Sequence, residues 1–224
     1  MSSNKIQDQL LCIFHSLLDH FGPRHWWPAE TPLEVVFGCI LTQNVTWKNV
    51  EQAISNLKEK DLINIDRILA VQDCSLADLI KTTRYYNQKA SSLKNFCRFV
   101  KTKFNGNLDE LFELNTEDLR TILLSLKGIG RETADSIILY AANKPIFVVD
   151  AYTKRIFLRL GIWDYDMSYD EVQKLFVSNL PSDTYLFNEY HALIDRLGHY
   201  ICKSKTPCCS QCPVSQFCRT QSSC

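Results

Sequence analysis

The chain has 224 residues and carries 25 Lys plus Arg against 25 Asp plus Glu, a formal net charge of zero. Hydrophobic residues make up 46% of it, with only 7 Gly and 7 Pro, which excludes a disordered or fibrous protein. The charge balance excludes a broadly basic protein, so any nucleic-acid site must be a local patch.

The start, MSSNKIQDQL, has neither the basic n-region nor the apolar h-region of an export signal. The apolar run VVFGCIL at 35–41 is far too short to span a bilayer, so a soluble intracellular protein is expected.

In chain order the pattern is helical. Thr31, Pro32 and Glu34 predict an N-cap, a first-turn proline and a capping box. The VVFGCIL run that follows is apolar on all sides, which predicts a buried central helix. After the break at QNVT, Trp47, Val50, Ile54 and Leu57 recur at helical spacing. Leu119, Ile122, Leu123 and Leu126 repeat that spacing, as do Ala134, Ile137, Ile138 and Ala141. IFVVD at 146–150 is extended in character but isolated, and Ile156, Phe157 and Leu160 return to a helical pattern. One lone extended segment is not a sheet, so the expected fold class is all-α.

Between two of these helices lies SLKGIGRETAD, residues 125–135. Gly128 and Gly130 are expected to supply positive φ or close backbone approach, and Ile129 to pack back into the helix pair. The helix starting near Arg131 presents free N–H groups and a positive dipole end, suited to a phosphate. Such a helix–hairpin–helix holds DNA by its backbone without reading sequence. On the turn alone, a plain helical corner is the competing reading. Twenty residues after Gly130, VVDAYTKRI places Asp150 at the edge of a new helix. Asp150 is either a simple N-cap or a carboxylate brought up from apolar surroundings for chemistry.

There are 10 cysteines. Cys12, Cys39, Cys74 and Cys97 are scattered, and are expected to be small buried hydrophobes. The other six fall in the last 23 residues, where Cys202, Cys209, Cys212 and Cys218 read C-x6-C-x2-C-x5-C. Four such close thiolates suit a metal centre; zinc is the general alternative to iron and sulfide. Using Cys208 in place of Cys209 gives x5, x3, x5; with Cys209 as the ligand, Cys208 and Cys224 remain as spare thiols.

LKGIGRETAD…VVDAYTKRIFLRLG resembles the helix–hairpin–helix-GPD superfamily of DNA glycosylases, in particular its endonuclease III-like branch. The likeness runs on through TPLEVVFGCILTQNVTWKNV, YYNQKA and EYHALIDRLGHYIC. It implies a two-lobed fold: a helical barrel over 30–143 carrying the hairpin, and 1–29 plus 144–224 carrying Asp150 and an iron–sulfur loop. It also implies a [4Fe-4S] cluster on Cys202, Cys209, Cys212 and Cys218. Lys203, Lys205 and Arg219 around that loop are phosphate contacts or solvated charge.

Where the bifunctional members of the family carry a Schiff-base lysine, two residues after the second glycine, this chain has Glu132. Lys127 precedes the turn. A carboxylate forms no imine, so the implied enzyme is monofunctional, with water as nucleophile. The family's catalytic aspartate maps to Asp150, which would stabilise the cationic sugar and orient the water. Glu132 is either a pocket residue or a first-turn acid. Gly128, Ile129, Gly130 and Arg131 would hold the DNA backbone, Gln43 matches the residue that fills the vacancy left by a flipped base, and Arg84 and Tyr85 are candidates for the opposite strand.

Trp26, Trp27, Pro28 and Trp47 resemble the 3-methyladenine DNA glycosylases of endonuclease III type, although Trp47 also fits a core stripe. A cationic alkylated purine stacks well between electron-rich rings and is an activated leaving group. The expected activity is thus hydrolysis of the N-glycosidic bond of alkylated purines. The alternatives are a glycosylase for oxidised pyrimidines or mismatched bases, with or without lyase activity, and an inert DNA-binding protein. The expected partner is double-stranded DNA with a damaged base, bound by a monomer in the cytoplasm, at the nucleoid in a bacterium.

Overall fold

A computed structural model describes residues 3–163 and 167–220, with side chains from residue 5 onward; Cys224 lies outside them. Within this range the chain forms α1 (Ser3–Phe21), α2 (Pro32–Leu41), α3 (Trp47–Glu59), α4 (Ile65–Ala70), α5 (Asp73–Leu79) and α6 (Tyr86–Lys103). It continues through α7 (Leu108–Glu113), α8 (Thr116–Ser125), α9 (Arg131–Ser136), α10 (Ala151–Leu160), α11 (Tyr169–Asn179) and α12 (Thr184–Tyr200). No strand is present among the described residues, and the fold is all-α. None of the described helices is long and apolar enough to cross a membrane.

The chain divides into two compact units, Trp27–Lys144 and Met1–Trp26 with Pro145–Cys224. In the first, α2 is the central helix. Thr31 caps it, its hydroxyl accepting the Glu34 N–H at 3.2 Å. The box closes one residue earlier than the sequence pattern predicts: the Glu34 carboxylate accepts the N–H of Glu30 at 3.0 Å, and Lys58 bridges Glu30 and Glu34 at 2.9 Å each. Residues Val35–Leu41 are all buried, because every face of α2 meets another helix. The hairpin helices α8 and α9 are joined by a buried ion pair. Arg120 Nε and Nη2 donate to the two oxygens of Asp135 at 2.7 and 3.2 Å, and Asp135 is fully shielded from solvent. Helix α9 passes into a π-turn over Ile137–Ala141.

In the second unit α12 packs against α1 and α10 around an aromatic core. The rings of Phe147 and Phe176 stack at 3.8 Å, Phe187 meets Phe147 edge-on, and the Tyr190 hydroxyl donates to the Leu10 carbonyl at 2.8 Å.

Two of the four scattered cysteines depart from the expectation. Cys39 and Cys97 are buried, but Cys12 and Cys74 are exposed, on the solvent faces of α1 and α5. Burial pushes the Cys97 thiol up to about 12, so it behaves as an inert hydrophobe.

Candidate functional site

The hairpin turn is built around Gly128. Its φ is +96°, and a Cβ there would meet the Ser92 hydroxyl of α6 at 1.9 Å, so both backbone and packing demand glycine. Ile129 is buried beneath the turn. Gly130 differs from the expectation: its φ is −93°, and a Cβ would meet nothing within 4 Å. Open space lies before Arg131 and Glu132, both exposed, and no side chain caps the helix start at Gly130.

Gln43, in the loop after α2, is tied to this turn. Its Nε2 donates to the Gly128 carbonyl at 3.1 Å and to the Thr133 hydroxyl at 2.9 Å. Arg84 and Tyr85 stand at the start of α6 with positive φ, 54° and 44°, and Tyr85 is 65% exposed.

The aromatic residues do not form a parallel sandwich. Trp27 and Trp47 meet at 5.2 Å with their planes at 86°, and Tyr140 joins Trp27 at 5.3 Å. A Cβ on Gly38 would lie 2.8 Å from the Trp27 indole, so the glycine in VVFGCIL is the seat for that ring. A cavity of about 290 Å³ opens beside the pair, lined by Trp27, Pro28, Glu34, Trp47, Glu51 and Lys58 among others. Trp47 therefore lines a cavity, together with Ile54 of its stripe, while Val50 is fully buried. Trp26, half-buried, closes the other unit. There the Glu189 carboxylate fixes the approach by accepting the N–H groups of Arg24 and His25 at 2.6 Å each.

Asp150 proves to be an N-cap, and this does not compete with a chemical role. Its Oδ1 accepts the N–H and the hydroxyl of Thr153 at 2.6 and 2.7 Å, while Oδ2 lies 3.9 Å from His191 Nε2 of α12. The approach through Ile146–Val149 is buried and belongs to neither helix nor strand. Its polar backbone is served from α11 instead. Gln173 donates to the Phe147 carbonyl at 2.7 Å, and the Val149 N–H donates to the Tyr169 hydroxyl at 3.3 Å.

The cysteines come together after α12. Cys202, Cys209, Cys212 and Cys218 all line a cavity of about 210 Å³ with Arg159 and Lys205, whereas Cys208 does not. Arg159 Nη1 donates to the Cys202 sulfur at 3.1 Å. Burial raises the Cys212 thiol, and the neighbouring Cys202 and Cys218 add to the rise. Four soft sulfur donors around one cavity suit an iron–sulfur cluster chemically. Their positions are not a coordination shell: among the described residues no three candidate ligands converge as on a metal. Among the basic residues of the loop, Arg219 packs its guanidinium where a Cβ on Gly161 would fall.

Several residues at these sites were not singled out by the sequence. Ser92 lies in YYNQKASS with nothing to mark it as the partner of Gly128. His191 stands 41 residues from Asp150. Lys89 reads as one more polar residue on α6, yet it is 3% exposed and binds three carbonyls. The only available signal was its place beside Ala90 and Leu93 on the buried side of the helix.

A family model for HhH-GPD superfamily base excision DNA repair proteins matches residues 37–182. A protein of Methanocaldococcus jannaschii, provisionally assigned as a DNA repair glycosylase, is 46% identical over 97% of this chain and 99% of its own length. Endonuclease III in a non-covalent complex with DNA superposes with a TM-score of 0.83 at 26% identity, over 97% of both chains. The 3-methyladenine DNA glycosylase MagIII of H. pylori, bound to 1,N6-ethenoadenine, gives a TM-score of 0.72 at 28% identity, over 88% of this chain and 97% of its own.

Proposed function

The chain belongs to the HhH-GPD superfamily of base excision DNA repair proteins, in its endonuclease III-like branch, and on that premise we propose a monofunctional DNA glycosylase for alkylated purines of the 3-methyladenine type. The observation that carries the reading is Glu132, an exposed acid at the position of the lyase lysine. The other notable amine is no substitute. Desolvation lowers Lys89 to about 8, but its ammonium is buried and spends its donors on three carbonyls. An amine so engaged has no accessible lone pair for attack on a sugar.

In this reaction the carboxylate of Asp150 stabilises the positive charge that develops on the sugar as the C1′–N bond breaks. The base leaves with the bonding electron pair, and a purine that entered cationic departs neutral without needing a proton. Water adds its oxygen to C1′, and its proton passes to the carboxylate or to solvent. The cavity beside Trp27, Pro28 and Trp47 offers aromatic rings to a cationic base, with Glu51 on its wall and the Glu34 carboxylate already paired with Lys58. Gln43 fills the vacated stack, Arg84 and Tyr85 meet the opposite strand, and Gly128–Arg131 hold the backbone. Cys202, Cys209, Cys212 and Cys218, which line one cavity, would hold a [4Fe-4S] cluster. The cluster would supply cross-links that order the loop carrying Lys203, Lys205 and Arg219.

The test is base release from methylated duplex DNA, with the freed bases separated chromatographically and Asp150→Asn as control. Free 3-methyladenine from the wild type alone is expected. The likeness to endonuclease III over nearly the full chain favours a second reading, removal of oxidised pyrimidines. Release of such a base with no alkylpurine release, or borohydride trapping of an enzyme–DNA adduct, would replace the first reading by the second.

A further inference from the structure

The loop after α2 and the loop before α6 are separate in sequence, and one buried side chain joins them. Lys89 Nζ donates to the Leu41 carbonyl at 2.8 Å, to the Gln43 carbonyl at 2.8 Å and to the Thr83 carbonyl at 2.5 Å. Leu41 and Gln43 lie at the end of α2, where the last carbonyls lack partners within the helix. Thr83 belongs to the short turn leading into Arg84 and Tyr85. An ammonium is the compact head with three donors that such a triad of carbonyls requires.

We propose that Lys89 is a positioning residue that fastens the Gln43 loop to the Arg84–Tyr85 loop, so that the two meet DNA as one body.

Three observations support a role beyond packing. The charge is buried without a carboxylate partner, an arrangement an apolar residue of the same length would avoid at no electrostatic cost. The tied loops hold non-glycine residues at positive φ, Asn44 at 55°, Arg84 at 54° and Tyr85 at 44°, conformations that persist only where surrounding contacts impose them. The chain of contacts also continues: the side chain of Gln43, whose carbonyl Lys89 holds, reaches the Gly128 carbonyl and the Thr133 hydroxyl of the hairpin. Lys89 thus fixes two loops directly and, through Gln43, bears on a third. It touches no substrate atom.

The inference rests on these loops approaching DNA, as the proposed reading assigns them, and not on which base is removed. The probe is therefore a duplex carrying 2-aminopurine opposite an abasic-site analogue, which needs no excision. Binding by wild type is expected to raise the 2-aminopurine fluorescence as that base is unstacked. Lys89→Met, close in length and volume, is expected to bind the duplex within about threefold of wild type, because no phosphate contact is removed. Its fluorescence rise should fall at least fivefold. A folded Lys89→Met variant with the full rise overturns the proposal, as does a wild type that binds with no rise. Hydrogen exchange of the unmodified protein decides the matter even if the variant fails to fold. Residues 42–46 and 80–86 are expected to open together, with protection within about threefold, and independent opening differing by more than tenfold overturns the clamp. Failure of the alkylpurine reading shows separately, in the base-release assay, and leaves these outcomes unchanged.

Discussion

The carboxylate of Asp150 and the side chain of Thr153 form a closed unit, in which one oxygen of the acid accepts both the amide and the hydroxyl proton of the threonine. That oxygen is committed to the helix, which leaves Oδ2 outside the cap, 3.9 Å from His191 Nε2. Asp150→Asn is expected to bind DNA as before and to lose on the order of a hundredfold or more in turnover. Thr153→Val keeps the shape and the amide bond but removes the hydroxyl. A drop of roughly tenfold in kcat with little change in KM is expected, one hydrogen bond to a charged group being at stake. Steady-state kinetics on methylated duplex DNA reads both. Unchanged turnover in Asp150→Asn would remove the carboxylate from the mechanism.

The buried pair of Arg120 and Asp135 makes a different demand. Asp135→Ala removes the carboxylate that accepts two guanidinium bonds and leaves a cavity in its place, and a loss of about 3–5 kcal/mol in unfolding free energy is expected. Denaturant titration measures it. A loss below about 1 kcal/mol would show that water reaches Arg120 and that the pair does not lock α8 to α9.

The two hairpin glycines should separate stability from binding. Gly128→Ala faces both a positive φ and the Ser92 hydroxyl, and is expected to lower the melting temperature. Gly130→Ala meets nothing in the protein and should melt within a degree or two of wild type, while its added methyl weakens DNA affinity. Equal melting temperatures for the two variants would contradict the packing of the turn.

For the cysteine loop, anaerobic purification under reducing conditions is expected to yield iron and sulfide, and Cys208→Ser should retain them. Cys209→Ser should lose them, since only the second of these adjacent residues lines the cavity with Cys202, Cys212 and Cys218. Zinc in place of iron and sulfide would reassign the centre.

The fold was largely legible because helices announce themselves by period, and the apolar VVFGCIL run and the stripe of Val50, Ile54 and Leu57 fall where their burial requires. The hairpin turn was legible by its motif, with Gly128 at positive φ and Ile129 buried beneath it. What stayed hidden are pairings between polar groups far apart in the chain. Asp135 sits in the buried phase of its helix beside Ala134 and Ile138, and a charge in that phase was the one visible clue to a partner such as Arg120. Lys89 gave the same clue on α6. The perpendicular setting of Trp27 and Trp47 was not readable, because ring orientation depends on Gly38 and Tyr140, neither of which follows from the WWP triplet.

The approach to Asp150 belongs to no strand, and side chains of α11 serve its backbone through Tyr169 and Gln173. In a sheet, such a carboxylate would inherit its position from a ladder of backbone bonds that mutation barely touches. Here the segment leading to the cap is held by two replaceable side chains, the first residue of α11 and one a single turn further along. The setting of that segment is therefore a heritable quantity: substitution at positions 169 and 173 can shift it while Asp150 and its cap on α10 stay as they are.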